Sequence, residues 1–346
     1  MVLPTLDSLK IEGKRVLLRL DLDVSIEDDK VVEDSRLKAA VPTIEYLQEQ
    51  KASEIIILGH RGRPDGKYDE NLTLKPIEGA FREILKDENI DDSRISFEEN
   101  LRFDPGESFD SAQDKQSLTT YKDAMMEFAK TLAQKGDVYI NDAFGVCHRD
   151  SASIVGLPKL LPHAAGLHLQ KEVEHLEKVF SPSAGSGSRP VVFVIAGGKM
   201  DKAIYIEKFL DISEFVLVGG ALAASVKSYC REKDGRMCIV AAHLTPGGHD
   251  ITPDSARNFV EIIKAAQTLV WNGPMGDIDN NYWEGTEIVG QAIAESQAYK
   301  IAGGGDTIHA IHKLGLSGKM DFISTGGGAM LEFLAYRDLP GLKALR

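Results

Sequence analysis

Short apolar runs rich in valine and isoleucine alternate with helix-period segments along the whole chain, and that alternation leaves few folds open. The runs are RVLLRL (15–20), EIIIL (54–58), DVYI (137–140), VVFVI (191–195), FVLV (215–218), TLVW (268–271), YKIA (299–302) and DFI (321–323). Between them lie KAAVPTIEYLQEQ (38–50), KDAMMEFAKTLAQK (122–135) and EGTEIVGQAIAES (284–296), with apolar residues at helical spacing. Strands alternating with helices predict an α/β fold, a mainly parallel sheet covered on both faces. The chain has 346 residues. That is long for one core, so two doubly wound, Rossmann-like lobes of ~150–200 residues are expected.

The boundary is expected near residue 180. SPSAGSGSRP (181–190) is turn chemistry throughout, and AGLHLQKEVEHLEKVF before it has a helical period with one charged face. This divides the chain into a first lobe (1–165), a joining helix (166–180) and a second lobe from 181.

The ends of the strands differ between the lobes. In the first they carry charge: Asp21 and Asp23, then His60 and Arg63 in GHRGRP, Arg102 in ENLRFDPGE, and Arg149 in NDAFGVCHR. In the second they carry glycine: AGGK (196–199), GGA (219–221), NGPMG (272–276), GGGD (303–306) and TGGG (325–328). Ligands of open α/β sheets bind beyond the carboxyl ends of the strands. The first lobe therefore offers a basic cleft for a small multiply charged anion, which guanidinium groups pair bidentately. The second offers bare backbone N–H groups at helix N-termini, which suit nucleotide phosphates.

Plainer readings exist for single residues. Asp306 fits a helix N-cap as well as a metal role, Asp279 fits turn chemistry, and His309 with His312 fits a helix face. Neither a Walker P-loop nor a dinucleotide fingerprint occurs. A net charge of −13 argues against nucleic acid as the main partner. There is no run of eighteen apolar residues and no apolar signal core at the start, so no membrane span and a cytoplasmic location are expected. Three cysteines, Cys147, Cys230 and Cys238, are too few for a disulfide framework and fit a reducing compartment.

Taken together, RLDLDV (19–24), DSRLKAAVPTIEYL (34–47), GHRGRPDG (59–66), ENLRFDPGE (99–107), DVYINDAFGVCHR (137–149), VWNGPMG (270–276), GGGDT (303–307) and STGGGAMLEFL with LPGLKAL (324–345) resemble phosphoglycerate kinase. The motifs are long, in the family's order, and cover most of the chain. The resemblance implies two lobes joined by a helix and hinge, with the second lobe running to 329 and a tail (330–346) returning to the first. It implies reversible phosphoryl transfer between 1,3-bisphosphoglycerate and ADP by in-line attack after hinge closure, with Mg²⁺ on the nucleotide, in a monomer. By matching positions, Asp21, Asp23, Arg36, His60, Arg63, Arg102 and Arg149 would hold phosphoglycerate. Arg36, Lys199, Gly327 and Gly328 would serve the transferring phosphoryl. Lys199, Lys202, Gly219, Gly220, Asn272, Pro274, Asp279, Gly304, Gly305, Asp306, Thr307 and Gly326 would bind nucleotide, Asp306 positioning the metal.

The chain departs from the family pattern in four places. Asp23 replaces an asparagine and Ser25 a proline. Lys199 and Lys202 are i, i+3 rather than i, i+4. A few dozen residues are missing between 228 and 250, where the family builds part of the adenine pocket. Ser151 replaces a second histidine. An active kinase with a trimmed nucleotide lobe is the leading expectation. The alternatives are a weakly transferring relative that binds phosphorylated ligands as a sensor or partner, and a kinase for a related acyl phosphate.

Overall fold

The computed structural model describes residues 1–107, 118–180, 190–232 and 236–346. The loop expected at 181–190 therefore lies, apart from Pro190, outside the described residues. The chain divides into two compact units, Met1–Val173 with Asp338–Arg346, and Glu174–Arg337.

The first unit holds β1 (Arg15–Arg19), a small ribbon of β2 (Ile26–Glu27) and β3 (Lys30–Val31), α1 (Ser35–Glu49), β4 (Glu54–Leu58), α2 (Lys75–Asp87), β5 (Ile95–Phe97), α3 (Leu118–Ala133), β6 (Val138–Asn141) and β7 (His163–Ala165). Its sheet runs β5-β4-β1-β6-β7, every pair parallel. A parallel sheet is covered on both faces, so its strands read as continuous apolar runs. Val16, Leu17 and Leu18 of β1 are fully buried on that account. The chain winds outward from β1 in one direction and then in the other, so the topological switch falls between β1 and β6.

The division between units runs through α4 (Leu167–Glu177). The second unit continues with β8 (Val191–Ile195), α5 (Ala203–Leu210), β9 (Phe215–Val218), β10 (Tyr229–Glu232), β11 (Arg236–Ala241), α6 (Pro253–Ala265), β12 (Thr268–Asn272), α7 (Glu284–Glu295), β13 (Tyr299–Gly303), α8 (Gly305–Lys313), β14 (Phe322–Ser324) and α9 (Gly327–Tyr336). Its sheet runs β10-β11-β9-β8-β12-β13-β14, parallel except for β10 against β11. The switch lies between β8 and β12.

Three features differ from the sequence reading. The returning tail is Asp338–Arg346 with α10 (Pro340–Ala344), shorter than 330–346. The reason is that α9 packs on α5 within the second unit, where Tyr205 donates to Glu332 and meets the ring of Tyr336. The tail is fixed to the first unit by the Gly341 N–H on the Cys147 carbonyl. Secondly, Cys230 and Cys238 are bonded as a disulfide, because the β10–β11 register sets them face to face with Cα atoms 4.1 Å apart. Cysteine spacing alone does not show a hairpin. Cys147 is free and buried. Thirdly, β5, β7 and the β10–β11 hairpin are too short or too polar to stand out as apolar runs. No helix among the described residues is long and apolar enough to cross a membrane.

Candidate active site

In the first unit the switch point joins the turn after β1 to the turn after β6. Asp21, almost wholly buried, accepts the Gly145 N–H at 2.7 Å. The Asp23 carboxylate accepts the Gly62 N–H at 2.9 Å, and its main-chain carbonyl accepts from the Arg36 guanidinium in the first turn of α1. Asp23 thus holds the GHRGRP loop with one oxygen, a job an asparagine carbonyl would also do. Arg102 donates to the Gly62 carbonyl at 2.8 Å, tying the third basic loop to the second.

His60 stands at the centre of this cluster, 3% exposed. Its pKa is held well below the usual imidazole value, first by burial and then by the nearby guanidinium groups of Arg19, Arg102, Arg36 and Arg149. That set shows which charges the fold gathers. Arg149 and Arg63 have exposed side chains. His148, next to Arg149, is pushed down to about 4 by burial and by Arg149, and its Nδ1 is buried with no partner.

Two groups escaped the sequence reading. His148 sits inside a motif read for its arginine. Arg19 is fully buried at the end of β1, and a charge closing a buried apolar strand is a signal that can be read. Ser151, in place of the histidine, is buried and hydrogen-bonds Glu107.

In the second unit the switch point joins the glycine turns after β8 and β12. A Cβ on Gly273 would fall 1.9 Å from the Ala196 carbonyl oxygen, so these turns touch backbone to backbone. Lys202 threads its ammonium between them and donates to the Ala196 carbonyl at 2.8 Å. Burial lowers Lys202 to about 8, Asp306 opposing and Lys199 adding to the effect. Lys199, Lys202 and Asp306 are therefore neighbours around the glycine turns.

The two glycine triplets are divided in use. A Cβ on Gly327 would lie 2.5 Å from Gly304 Cα, so one member of each triplet serves to pack the triplets together. A Cβ on Gly305 or Gly328 would meet nothing within 4 Å. These glycines open α8 and α9, and Gly304 and Gly326 precede them as N-caps. The amides of the first helical turns have no intrahelical partners and face positive potential outward.

Asn272 and Thr307 are buried and bind the loops to each other. Asn272 Nδ2 donates to the Gly303 carbonyl at 2.7 Å, and Thr307 Oγ1 accepts the Gly273 N–H at 2.7 Å. Asn272 Oδ1 has no partner. Pro274 and Gly219 are buried, and Gly220 turns the chain at φ +61° with Gly197 N only 2.6 Å from where its Cβ would stand. Asp279 is exposed in a short 3-10 turn, Ile278–Asn280. Among the described residues no three His, Cys, Asp or Glu groups cluster to hold a metal alone. A single exposed carboxylate at Asp306, in the first turn of α8, fits Mg²⁺, which takes one or two carboxylates and leaves the rest to phosphates and water.

Two doubly wound lobes, one with guanidinium groups gathered near a buried imidazole and one with glycine-led helix N-termini, fit a phosphotransferase of the two-lobed kind. The family model for phosphoglycerate kinase matches residues 6–235 and 230–337. Curated phosphoglycerate kinases of Pelotomaculum thermopropionicum and Moorella thermoacetica are each 34% identical, covering 100% and 99% of this chain and 99% and 98% of their own. The solved phosphoglycerate kinase of Coxiella burnetii superposes with a TM-score of 0.76 at 28% identity over 99% of both chains. That of Pyrococcus horikoshii gives 0.76 at 28%, over 99% of this chain and 98% of that one. The chain belongs to the phosphoglycerate kinase family. The two matched segments overlap at 230–235, where β10 (Tyr229–Glu232) lies.

Proposed function

We infer that the protein catalyses reversible phosphoryl transfer between 1,3-bisphosphoglycerate and ADP, giving 3-phosphoglycerate and ATP. The observation that carries this is one chain with four guanidinium groups around His60 in one unit and the open amides of α8 and α9 in the other.

Phosphoryl transfer asks for in-line positioning and cancellation of charge, with little covalent help from protein. Arg36, His60, Arg63, Arg102 and Arg149 bind the phosphoglycerate, with Asp21 and Asp23 holding the loops that carry them. Lys199, Arg36 and the amides of Gly327 and Gly328 meet the charge that develops on the transferring oxygens, where fixed donors cost no reorganisation. Gly219, Gly220, Pro274 and Asp279 line the base and ribose. Lys202, Gly304, Gly305 and Gly326 serve the nucleotide phosphates, while Asn272 and Thr307 hold the loops between them. Asp306 would hold Mg²⁺, which neutralises phosphate charge when bound. The two ligands sit on different lobes, so the lobes must close around them for transfer.

The test is ATP-dependent turnover of 3-phosphoglycerate with Mg²⁺, read by coupling 1,3-bisphosphoglycerate to NADH oxidation. Wild type should turn over. Lys199→Ala and Arg36→Ala should each lose on the order of a hundredfold or more in kcat, since each removes a charge from the transition state. A wild type without turnover, or variants with undiminished kcat, would refute the assignment.

A further inference from the structure

The Arg19 side chain is 1% exposed, and no phosphate reaches it without displacing core. Its three nitrogens are nonetheless all used. Nε donates to Ser153 Oγ at 2.9 Å, Nη1 donates to the Leu20 carbonyl, and Nη2 lies 2.8 Å from His60 Nδ1. Ser153 in turn donates from Oγ to Glu107 Oε1 at 2.5 Å and from its N–H to Oε2 at 3.0 Å. Glu107 is buried at 1% exposure, and Ser151 adds a further hydrogen bond to it. A buried line therefore runs from the Glu107 carboxylate through Ser153 and Arg19 to the imidazole.

The chemistry at the imidazole follows from the donor inventory. A guanidinium has only donors and does not deprotonate in proteins. Nδ1 of His60 must therefore accept, which places the ring proton on Nε2. The ring stays neutral, because a second proton would have to sit on Nδ1 against the Arg19 donor. Four guanidinium groups face it: Arg19 from β1, Arg36 from α1, Arg102 from the turn after β5 and Arg149 from the turn after β6. A buried arginine carries a large desolvation cost unless it is paired and hydrogen-bonded, and Glu107 with Ser153 supplies that pairing.

We propose that Arg19 is a positioning residue that fixes His60 as the neutral Nε2–H tautomer, so that His60 binds phosphoglycerate as an oriented hydrogen-bond donor rather than as a charge. The Glu107–Ser153 pair sets Arg19. This rests on the substrate assignment above. Its consequence is that His60 contributes the same donor at every pH where the enzyme folds, leaving the charge on the anion to the arginines.

The decisive measurement is a long-range ¹H–¹⁵N spectrum of the imidazoles in the full chain, with His60 assigned through His60→Gln. A single Nε2–H tautomer, unmoved from about pH 5.5 to 8, is expected, since an unperturbed ring would titrate near 6.5. An Nδ1–H ring, or one titrating near 6.5, overturns the proposal. Arg19→Met should release the tautomer and raise KM for 3-phosphoglycerate roughly tenfold or more, the worth of an oriented hydrogen bond to a charged group, with KM for ATP unchanged. Arg19→Lys should restore part of both. An unmoved tautomer and KM in folded Arg19→Met also overturns it. Should Arg19→Met not fold, Ser153→Ala loosens the arginine without removing its charge, and is expected to move the His60 signals and the same KM in the same direction. If neither responds, Arg19 does not position His60. Absence of 3-phosphoglycerate turnover in wild type would instead defeat the substrate assignment, while the tautomer would still report on Arg19.

Discussion

Replacing Gly327 and Gly328 singly by alanine separates packing from chemistry. The two are adjacent in the first turn of α9, and neither has a positive φ, so alanine brings no backbone strain at either. Their surroundings differ. At 327 the new methyl would stand 2.5 Å from Gly304 Cα and 2.8 Å from Gly304 N. Carbon atoms settle at about 3.5–4.0 Å, so roughly 1 Å must be found by moving one backbone segment away from another. Overpacking of this kind costs about 1–3 kcal/mol, and the rigid backbone neighbour places this case at the upper end. Alanine's better helix propensity returns up to about 1 kcal/mol. The net loss is about 1–2 kcal/mol, which at about 2–4 °C per kcal/mol lowers Tm by about 2–8 °C.

At 328 nothing lies within 4 Å of the methyl. Only the propensity gain remains, so Gly328→Ala should keep or slightly raise Tm. If the open amide there approaches the transferring phosphoryl, the methyl intrudes where the ligand must come. The kcat should then fall by on the order of tenfold to a hundredfold, less than or equal to the loss of one preorganised donor. Calorimetry and the coupled assay read the two effects. Gly327→Ala with an unchanged Tm would refute the packing argument. Gly328→Ala with full kcat would show that the open face of α9 takes no part in transfer.

Other perturbations follow from the same geometry. Lys202 has a depressed folded pKa of about 8, so above that pH the folded chain binds fewer protons than the unfolded one, and its share of stability rises with pH until the unfolded value near 10.5 and is lost as pH falls through 8. Lys202→Met should remove that rise in a pH series of denaturation midpoints, and should raise KM for ATP at neutral pH. Asp23→Asn keeps an oxygen for the Gly62 N–H and deletes a negative charge beside the proposed anion site, so KM for 3-phosphoglycerate should fall while Tm stays; a higher KM would show that the carboxylate serves the ligand. Denatured without reductant, the protein should titrate one thiol per chain, Cys147, with all three cysteines reacting after reduction. Cys230→Ser should cost about 2–3 kcal/mol by the loop-entropy relation, measured by chemical denaturation under non-reducing conditions.

The α/β class and the position of most long strands were legible because parallel strands are buried on both faces and must be apolar throughout. The runs at 54–58, 191–195 and 215–218 match β4, β8 and β9 residue for residue. Charged strand ends in one half and glycine strand ends in the other were legible for the same topological reason, since ligands gather beyond carboxyl ends. What a sequence does not display is pairing across distance. Arg19 is visible as a charge in an apolar strand, but its partners are not, until Ser153, 134 positions later, and His60, 41 positions later, are brought to it. Cys230 and Cys238 look unpaired until an antiparallel register sets them opposite. Among the glycines, composition marks the triplets but not which member packs and which stays open. That distinction exists only once Gly304 and Gly327 touch.

The shortening of the second lobe falls where the fold can absorb it. Parallel strands β9 and β11 need a crossover, usually a helix. Here the chain returns along β10 instead, an antiparallel edge strand hydrogen-bonded to β11 and tied to α5 through Tyr229 on Glu207 and Arg231 on Asp211. Tyr229, Cys230 and Glu232 are exposed along it and Arg231 is half-buried. In the strand order β10-β11-β9-β8-β12 this change lies at the far edge, while the glycine turns proposed to take the nucleotide phosphates meet between β8 and β12. Lys202, Gly273, Asp306 and the α8 and α9 N-termini all hang on the unshortened part. The consequence is an asymmetry between base and phosphate. If the altered crossover bounds the base side, discrimination between ATP and GTP should be weak, whereas mutations at the β8–β12 switch should abolish turnover with both nucleotides alike. Running the coupled assay with ATP and GTP on wild type and on Lys199→Ala tests both halves; strong selection for one base in wild type would mean that the hairpin and the turns beside it rebuild a specific pocket.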